Sequence, residues 1–123
     1  MEFDSLSSQV IGAAIEVHRT LGPGLLESVY EQAMAYETAL LGLAVQAQIP
    51  LPVSYKAIKL DCGFRLDLLV ENQLILEIKS VERLLPVHDA QLLTYLKITG
   101  MKTGLLINFN VPLLREGIKR LVL

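Results

Sequence analysis

Asp67, Glu77 and Lys79 are the residues whose types and spacing point most directly to chemistry. Ile58, Leu60, Cys62, Phe64, Leu66, Leu68 and Val70 are apolar at every second position, with Lys59, Asp61, Arg65, Asp67 and Glu71 among the residues between them. This period of two predicts a strand with one core face and one polar face. Past a turn near Asn72, Leu74, Leu76 and Ile78 continue the apolar set, and Glu77 and Lys79 take the opposite parity. A hairpin that pairs Val70 with Leu74 sets Asp67 opposite Glu77, because register must preserve parity. Their Cβ atoms would then lie roughly 4.5–5.5 Å apart. Two carboxylates so placed repel, and a bound cation would turn that repulsion into attraction. Hard divalent ions prefer oxygen ligands, often one or two carboxylates completed by water and phosphate oxygens. Lys79, on the same face, could orient an attacking water or stabilise charge on a phosphate. The spacing alone also fits a solvated, salt-bridged face formed by Arg65, Asp67, Glu77 and Lys79.

Further polar residues extend the set. Glu27 falls in the first turn of an expected helix, where it either complements the helix dipole or delivers a third carboxylate to the sheet. Tyr30, one turn later, would pack beside Glu27 or hydrogen-bond to it, and Gly22 and Gly24 would permit close backbone approach. Gln91 and Tyr95 are four residues apart and share a helix face. They could contact a substrate, or be a surface glutamine and a half-buried tyrosine. Asn108 is the polar interior residue of the apolar stretch Gly104 to Phe109. His18 reads as packing or surface, and His88, at the start of a helix, is a poor catalytic base.

The elements that must position these residues follow from periodicity. Leu6, Val10, Ala14, Val17 and Leu21 repeat at helical spacing, Gly22-Pro23-Gly24 breaks the chain, and Leu26, Val29, Ala33, Tyr36 and Leu40 begin a second helix. Ile49 to Tyr55, interrupted by Pro50 and Pro52, suits an edge strand. A third helix is expected from about Val87 to Thr99, closed by Gly100, then a buried strand from Thr103 to Phe109. The tail from Val111 suits a helical turn followed by a short strand. The order α-α-β-β-β-α-β is that of an α/β protein, a mixed sheet flanked by helices, and residues 1–123 read as a single domain.

Composition narrows the classes. An apolar fraction of 52% implies a well-filled core or an apolar surface covered by a second copy. No apolar run approaches the roughly 18 residues of a membrane span, and the Met-Glu-Phe-Asp start lacks a signal-peptide pattern. A cytoplasmic protein is expected, with no membrane partner. The single cysteine, Cys62, excludes an internal disulfide and a cysteine-based zinc site, and it reads as a small core hydrophobe. The net charge of −2 argues against tight nonspecific DNA binding. Grip on nucleic acid would need a local basic face, drawn from Lys56, Lys59, Arg65, Arg83, Lys97 and Lys102, with Arg115, Lys119 and Arg120 further along, or a dimer or partner protein.

Together these residues resemble the GxxExxY family, a small branch of the PD-(D/E)XK nuclease superfamily. The naming motif stands as Gly24, Glu27 and Tyr30, and the superfamily pattern as Asp67 followed by Glu77-Ile78-Lys79. Gln91 and Tyr95 match the Gln-x-x-x-Tyr motif of RecB-like members. Leu66 stands where some members have proline. The resemblance runs from about Val10 to Leu121. It implies a restriction-endonuclease-like core, αβββαβ, with an extra N-terminal helix. It also implies Mg²⁺ or Mn²⁺ held by Asp67, Glu77 and the Ile78 main-chain carbonyl, with Glu27 as an additional ligand, direct or through water. Lys79 would position or activate the attacking water, and Gln91, Tyr95 and Tyr30 would face substrate. The implied activity is hydrolysis of DNA or RNA phosphodiesters. The alternatives are a non-catalytic nucleic-acid-binding or assembly module of the same fold, and a phosphoesterase acting on a nucleotide. A homodimer, with Leu121-Val122-Leu123 in contact, is also expected.

Overall fold

The computed structural model describes residues 4–61 and 63–123. Helix α1, Ser5–Leu21, starts where Asp4 accepts the Ser7 N–H at 2.8 Å, a side-chain cap on one of the open N–H groups of the first turn. Helix α2 spans Glu27–Leu40 and α3 spans Pro86–Thr99. Proline at the start of α3 forgoes no helical bond, and Gly100, at φ 76°, ends it in the left-handed conformation.

Five strands form one mixed sheet in the order β1 (Val45–Pro50), β4 (Arg65–Val70), β5 (Leu74–Lys79), β6 (Thr103–Asn108) and β7 (Ile118–Val122). β5 and β6 are parallel, joined through α3, and the other neighbours are antiparallel. The architecture is thus the expected mixed α/β sheet flanked by helices, consistent with a restriction-endonuclease-like fold. One core lies between α1, α2 and the sheet, with Val10, Ala14, Met34, Leu68, Leu76 and Ile107 fully buried. A second lies under α3, around Ile75, Leu92, Leu96 and Leu106. Among the described residues no helix is long and apolar enough to cross a membrane.

The strand expected over Ile58 to Val70 is two strands, β3 (Ile58–Leu60) and β4. Gly63, at φ 74°, turns the backbone out of the extended region between them. The expected edge strand is likewise divided. β1 ends at Pro50, and β2 (Val53–Tyr55) pairs with β3 in a separate hairpin. The expectation for Cys62 lies outside the described residues. The tail is a 3₁₀ turn, Leu114–Gly117, running into β7.

Candidate active site

The β4–β5 turn sets the register on which the site depends. Glu71 and Asn72 adopt φ of 54° and 52°, and Gln73 N–H returns to the Val70 carbonyl at 3.0 Å. Both are left-handed, a conformation asparagine tolerates, and they centre a tight turn within the three-residue connection 71–73. Val70 pairs with Leu74, and Leu68 with Leu76, so continuing the register sets Asp67 across from Glu77. At that point side chains replace the ladder. Asp67 Oδ2 accepts the Ile78 N–H at 2.8 Å, and Glu77 Oε1 accepts the Asp67 N–H at 3.5 Å. Within a strand the N–H and C=O of one residue point the same way. The Ile78 carbonyl therefore also faces the β4 side, where Asp67 stands.

This face is not solvated. Glu77 is only 4% exposed and Asp67 is half-buried. Burial, joined by the charges of Glu31 and Glu27, pushes the Asp67 carboxyl up to about 6, against the Ile78 N–H and Lys79, which lower it. Burial and then the Asp67 charge push Glu77 up to about 8, again opposed by Lys79. Among the described residues the ion pairs are Arg19–Glu16, Lys119–Asp89 and Arg120–Asp4, so neither acid of the buried pair has an ion-pair partner and Lys79 acts on them only at longer range. Arg65 is exposed, with its guanidinium 3.5 Å from the Gln48 carbonyl. The alternative of a salt-bridged, solvated sheet face is thereby excluded.

The donor set fits a hard divalent cation, being all oxygen with a local excess of negative charge. Among the described residues, however, no three His, Cys, Asp or Glu side chains converge closely enough to hold an ion by themselves. A cation here needs carbonyl, water or phosphate oxygens as well.

Glu27 is the first residue of α2 and exposed, and its Oε2 accepts the Ser80 N–H at 3.1 Å, directly after Lys79. Ser80 also donates to the Leu25 carbonyl at 2.6 Å. Tyr30 requires a correction. It is fully buried and stacked on Phe109 with ring centroids 4.6 Å apart. Its hydroxyl donates to the Gly22 carbonyl at 2.6 Å and accepts the Leu25 N–H at 3.1 Å. It therefore does not face substrate or bond Glu27, but ties down the loop that presents Glu27. Gly22 and Gly24 are also reinterpreted. A Cβ at either would meet nothing within 4 Å, and what demands glycine is φ of 71° and 96°. Gln91 donates to the Tyr95 hydroxyl at 2.9 Å, and burial, then the charge of Glu77, raises the Tyr95 pKa.

Glu31 and Gln48 lay beyond the sequence reading, and so did the part played by Asn108. Glu31 stands one turn after Glu27 and accepts from Gln48 Nε2 at 2.7 Å. The i, i+4 spacing from Glu27 was its only signal. Asn108, 1% exposed, bonds both Val81 N–H and Val81 C=O at 3.0 Å, fixing the chain that leaves Lys79. Gln48, opposite Asp67 by register, has φ of 53° within β1, a strained conformation of the kind that gathers at functional sites. Both strands change face there. Val45, Leu68 and Val70 pack under α1 and α2, whereas Ile49 and Leu66 pack under α3.

Residues 4–121 match the family model of the PD-(D/E)XK nuclease superfamily. The chain belongs to the PD-(D/E)XK nuclease superfamily. No curated protein and no solved structure matches it. Membership of the PD-(D/E)XK superfamily suggests a nuclease, and nuclease folds of this kind usually work with divalent metals on nucleic acid. In this PD-(D/E)XK chain the acidic pair and the lysine stand at the end of the central parallel pair, where Lys79 is in register with Asn108.

Proposed function

We propose that the chain is a Mg²⁺- or Mn²⁺-dependent nuclease that hydrolyses phosphodiester bonds of DNA or RNA, in the GxxExxY branch of its superfamily. The observation that carries this reading is the buried, facing pair Asp67 and Glu77, with Lys79 two residues on. Asp67, Glu77 and the Ile78 carbonyl hold the ion, Glu27 adds a ligand directly or through water, and Glu31 adds negative charge. When bound, the ion lowers the pKa of a water, polarises the phosphoryl oxygen and orients the leaving group. Lys79 donates hydrogen bonds to the attacking water or to a phosphate oxygen. Gln91, fixed against Tyr95, bonds the substrate backbone. Tyr30 and Asn108 hold the two loops that frame the site.

The basic residues proposed for grip divide in the fold. Lys56, Lys59 and Arg65 lie on β2 to β4, while Lys119 and Arg120 are engaged with Asp89 and Asp4. Lys102 lies beside Leu74 and Thr103, at the other end of β5 and β6 from the carboxylates. The second reading, a non-catalytic nucleic-acid-binding or assembly module, draws support from the net charge of −2, which gives the chain no overall basic surplus for grip. Incubation with labelled single- and double-stranded DNA and RNA in Mn²⁺ separates the two. Cleavage by wild type but not Lys79→Ala supports the nuclease, and metal binding without cleavage of any substrate supports the module. We also propose a homodimer that covers the exposed Val122 and Leu123; a monomer by light scattering at micromolar concentration contradicts it.

A further inference from the structure

The β2–β3 hairpin stands apart from the five-stranded sheet. Its register, Val53 with Leu60 and Tyr55 with Ile58, puts those four side chains on one face and Ser54 and Lys59 on the other. Tyr55 and Ile58 are 58% and 60% exposed. An exposed apolar face rimmed by polar residues marks a contact surface. Beside it lies a cleft of ≈ 200 Å³ lined by Val53, Phe64, Gln91, Thr94, Tyr95 and Ile98. Two of its walls are aromatic. Phe64 is 42% exposed and meets the Tyr95 ring edge-on at 6.3 Å. Gln91 and Thr94 add an amide and a hydroxyl. The volume is below the roughly 300–1,000 Å³ of drug-sized sites and suits one planar ring system.

Charge indicates what carries that ring. From Val53 to Arg65 the cations are Lys56, Lys59 and Arg65 against Asp61 alone, a local surplus in a chain of net charge −2. Lys56 sits over the Tyr55 ring at 5.5 Å. Acid collects instead on α2, as Glu27, Glu31 and Glu37. A flat ring joined to negative charge, next to aromatic walls and a basic segment, describes a base on its phosphate strand. A duplex keeps its bases stacked inside and offers no free ring face, whereas a single strand does.

We propose that the cleft lined by Phe64 and Tyr95 takes one unpaired base of a single-stranded nucleic acid, stacked on the exposed Phe64 ring, with the basic β2–β3 segment following its phosphates. The proposal deepens the nuclease reading and rests on it for what the binding serves. Gln91, which donates to the Tyr95 hydroxyl at 2.9 Å, lines the cleft and is also the residue proposed above to bond the substrate backbone, so one strand would engage both.

The chain contains no tryptophan, so Phe64→Trp places a single fluorescent reporter in the cleft. The full chain is titrated in EDTA with oligothymidine, oligouridine, an abasic oligomer of equal length and a blunt duplex. Quenching by oligothymidine or oligouridine, but not by the abasic oligomer or duplex, is expected, and the two oligomers tell DNA from RNA. Phe64→Leu, which keeps bulk without the ring, should bind the preferred oligomer about 5- to 100-fold more weakly by anisotropy. Unquenched emission at saturation, equal affinity for the abasic oligomer, or undiminished binding by Phe64→Leu overturns the proposal. A loss of dimer in Phe64→Leu with unaltered strand binding reassigns the face to a second copy of this chain. Calorimetry with Mn²⁺ keeps the two readings separate. Intact metal binding with no base-dependent quench sinks only the cleft. Quenching of Phe64→Trp, with no metal bound by either the wild type or this variant, removes the nuclease reading and leaves the cleft standing.

Discussion

Asp67 and Glu77 are each bonded to the other's strand: Asp67 Oδ2 takes the Ile78 N–H at 2.8 Å, and Glu77 Oε1 approaches the Asp67 N–H at 3.5 Å. These bonds stand where backbone ladder bonds would otherwise continue, and they hold two carboxylates together in a buried place. Neither charge is ion-paired within the described residues. A cost of this kind is tolerated where function requires it.

Neutralising either acid should therefore stabilise the metal-free fold. Asp67→Asn keeps an oxygen for the Ile78 N–H, and Glu77→Gln removes the more buried charge. At pH 8 each should raise the unfolding free energy by on the order of 1–3 kcal/mol, read by urea denaturation in EDTA. A loss of stability in both variants would show that the pair is not in conflict.

The same pair sets a pH dependence. Burial first of all raises Asp67 to about 6 and Glu77 to about 8, from ordinary values of 3.8 and 4.5. Between the ordinary and raised values the folded chain holds more protons than the unfolded one, so stability falls as pH rises. The contribution is complete below the ordinary values and is lost through about 6 and then about 8. The metal-free melting temperature should fall from pH 5 to pH 9 more steeply in wild type than in the Asp67→Asn, Glu77→Gln double variant. Parallel profiles would refute this assignment.

Lys79→Ala should lower kcat by about 10²–10³ and leave Mn²⁺ bound, because the lysine acts on water or phosphate and not on the ion. Single-turnover cleavage alongside calorimetry reads both quantities. Full activity in the variant would take Lys79 out of the reaction.

Tyr30→Phe leaves the Gly22 carbonyl and Leu25 N–H without the hydroxyl they share. It should cost roughly 1–3 kcal/mol of stability and lower activity through the displaced Glu27 loop. A variant as stable and active as wild type would mean the loop holds itself.

Much of this arrangement was legible before the fold. Alternation placed Asp67, Glu77 and Lys79 on one parity, and Val70 does pair with Leu74. Helical spacing found α1, α2 and α3 within a residue or two of their ends. The break at Gly63 was hidden because the apolar alternation runs through it unchanged, and a backbone turn leaves no mark on side-chain parity. Tyr30 was misjudged because a hydroxyl on an amphipathic helix shows its position and not its partner. Glu31, Asn108 and Gln48 act through contacts 17 to 53 residues away or through backbone strain, as Glu27 does with Ser80. Local pattern carries no such information.

Mn²⁺ calorimetry on the folded wild type, Asp67→Asn and Glu77→Gln tests the central claim most directly. Binding by the wild type that disappears in both variants, while both remain folded, is the predicted result. Undiminished binding in the two variants, or none by the wild type at millimolar Mn²⁺ with or without a single-stranded oligomer present, would contradict a metal site at Asp67 and Glu77.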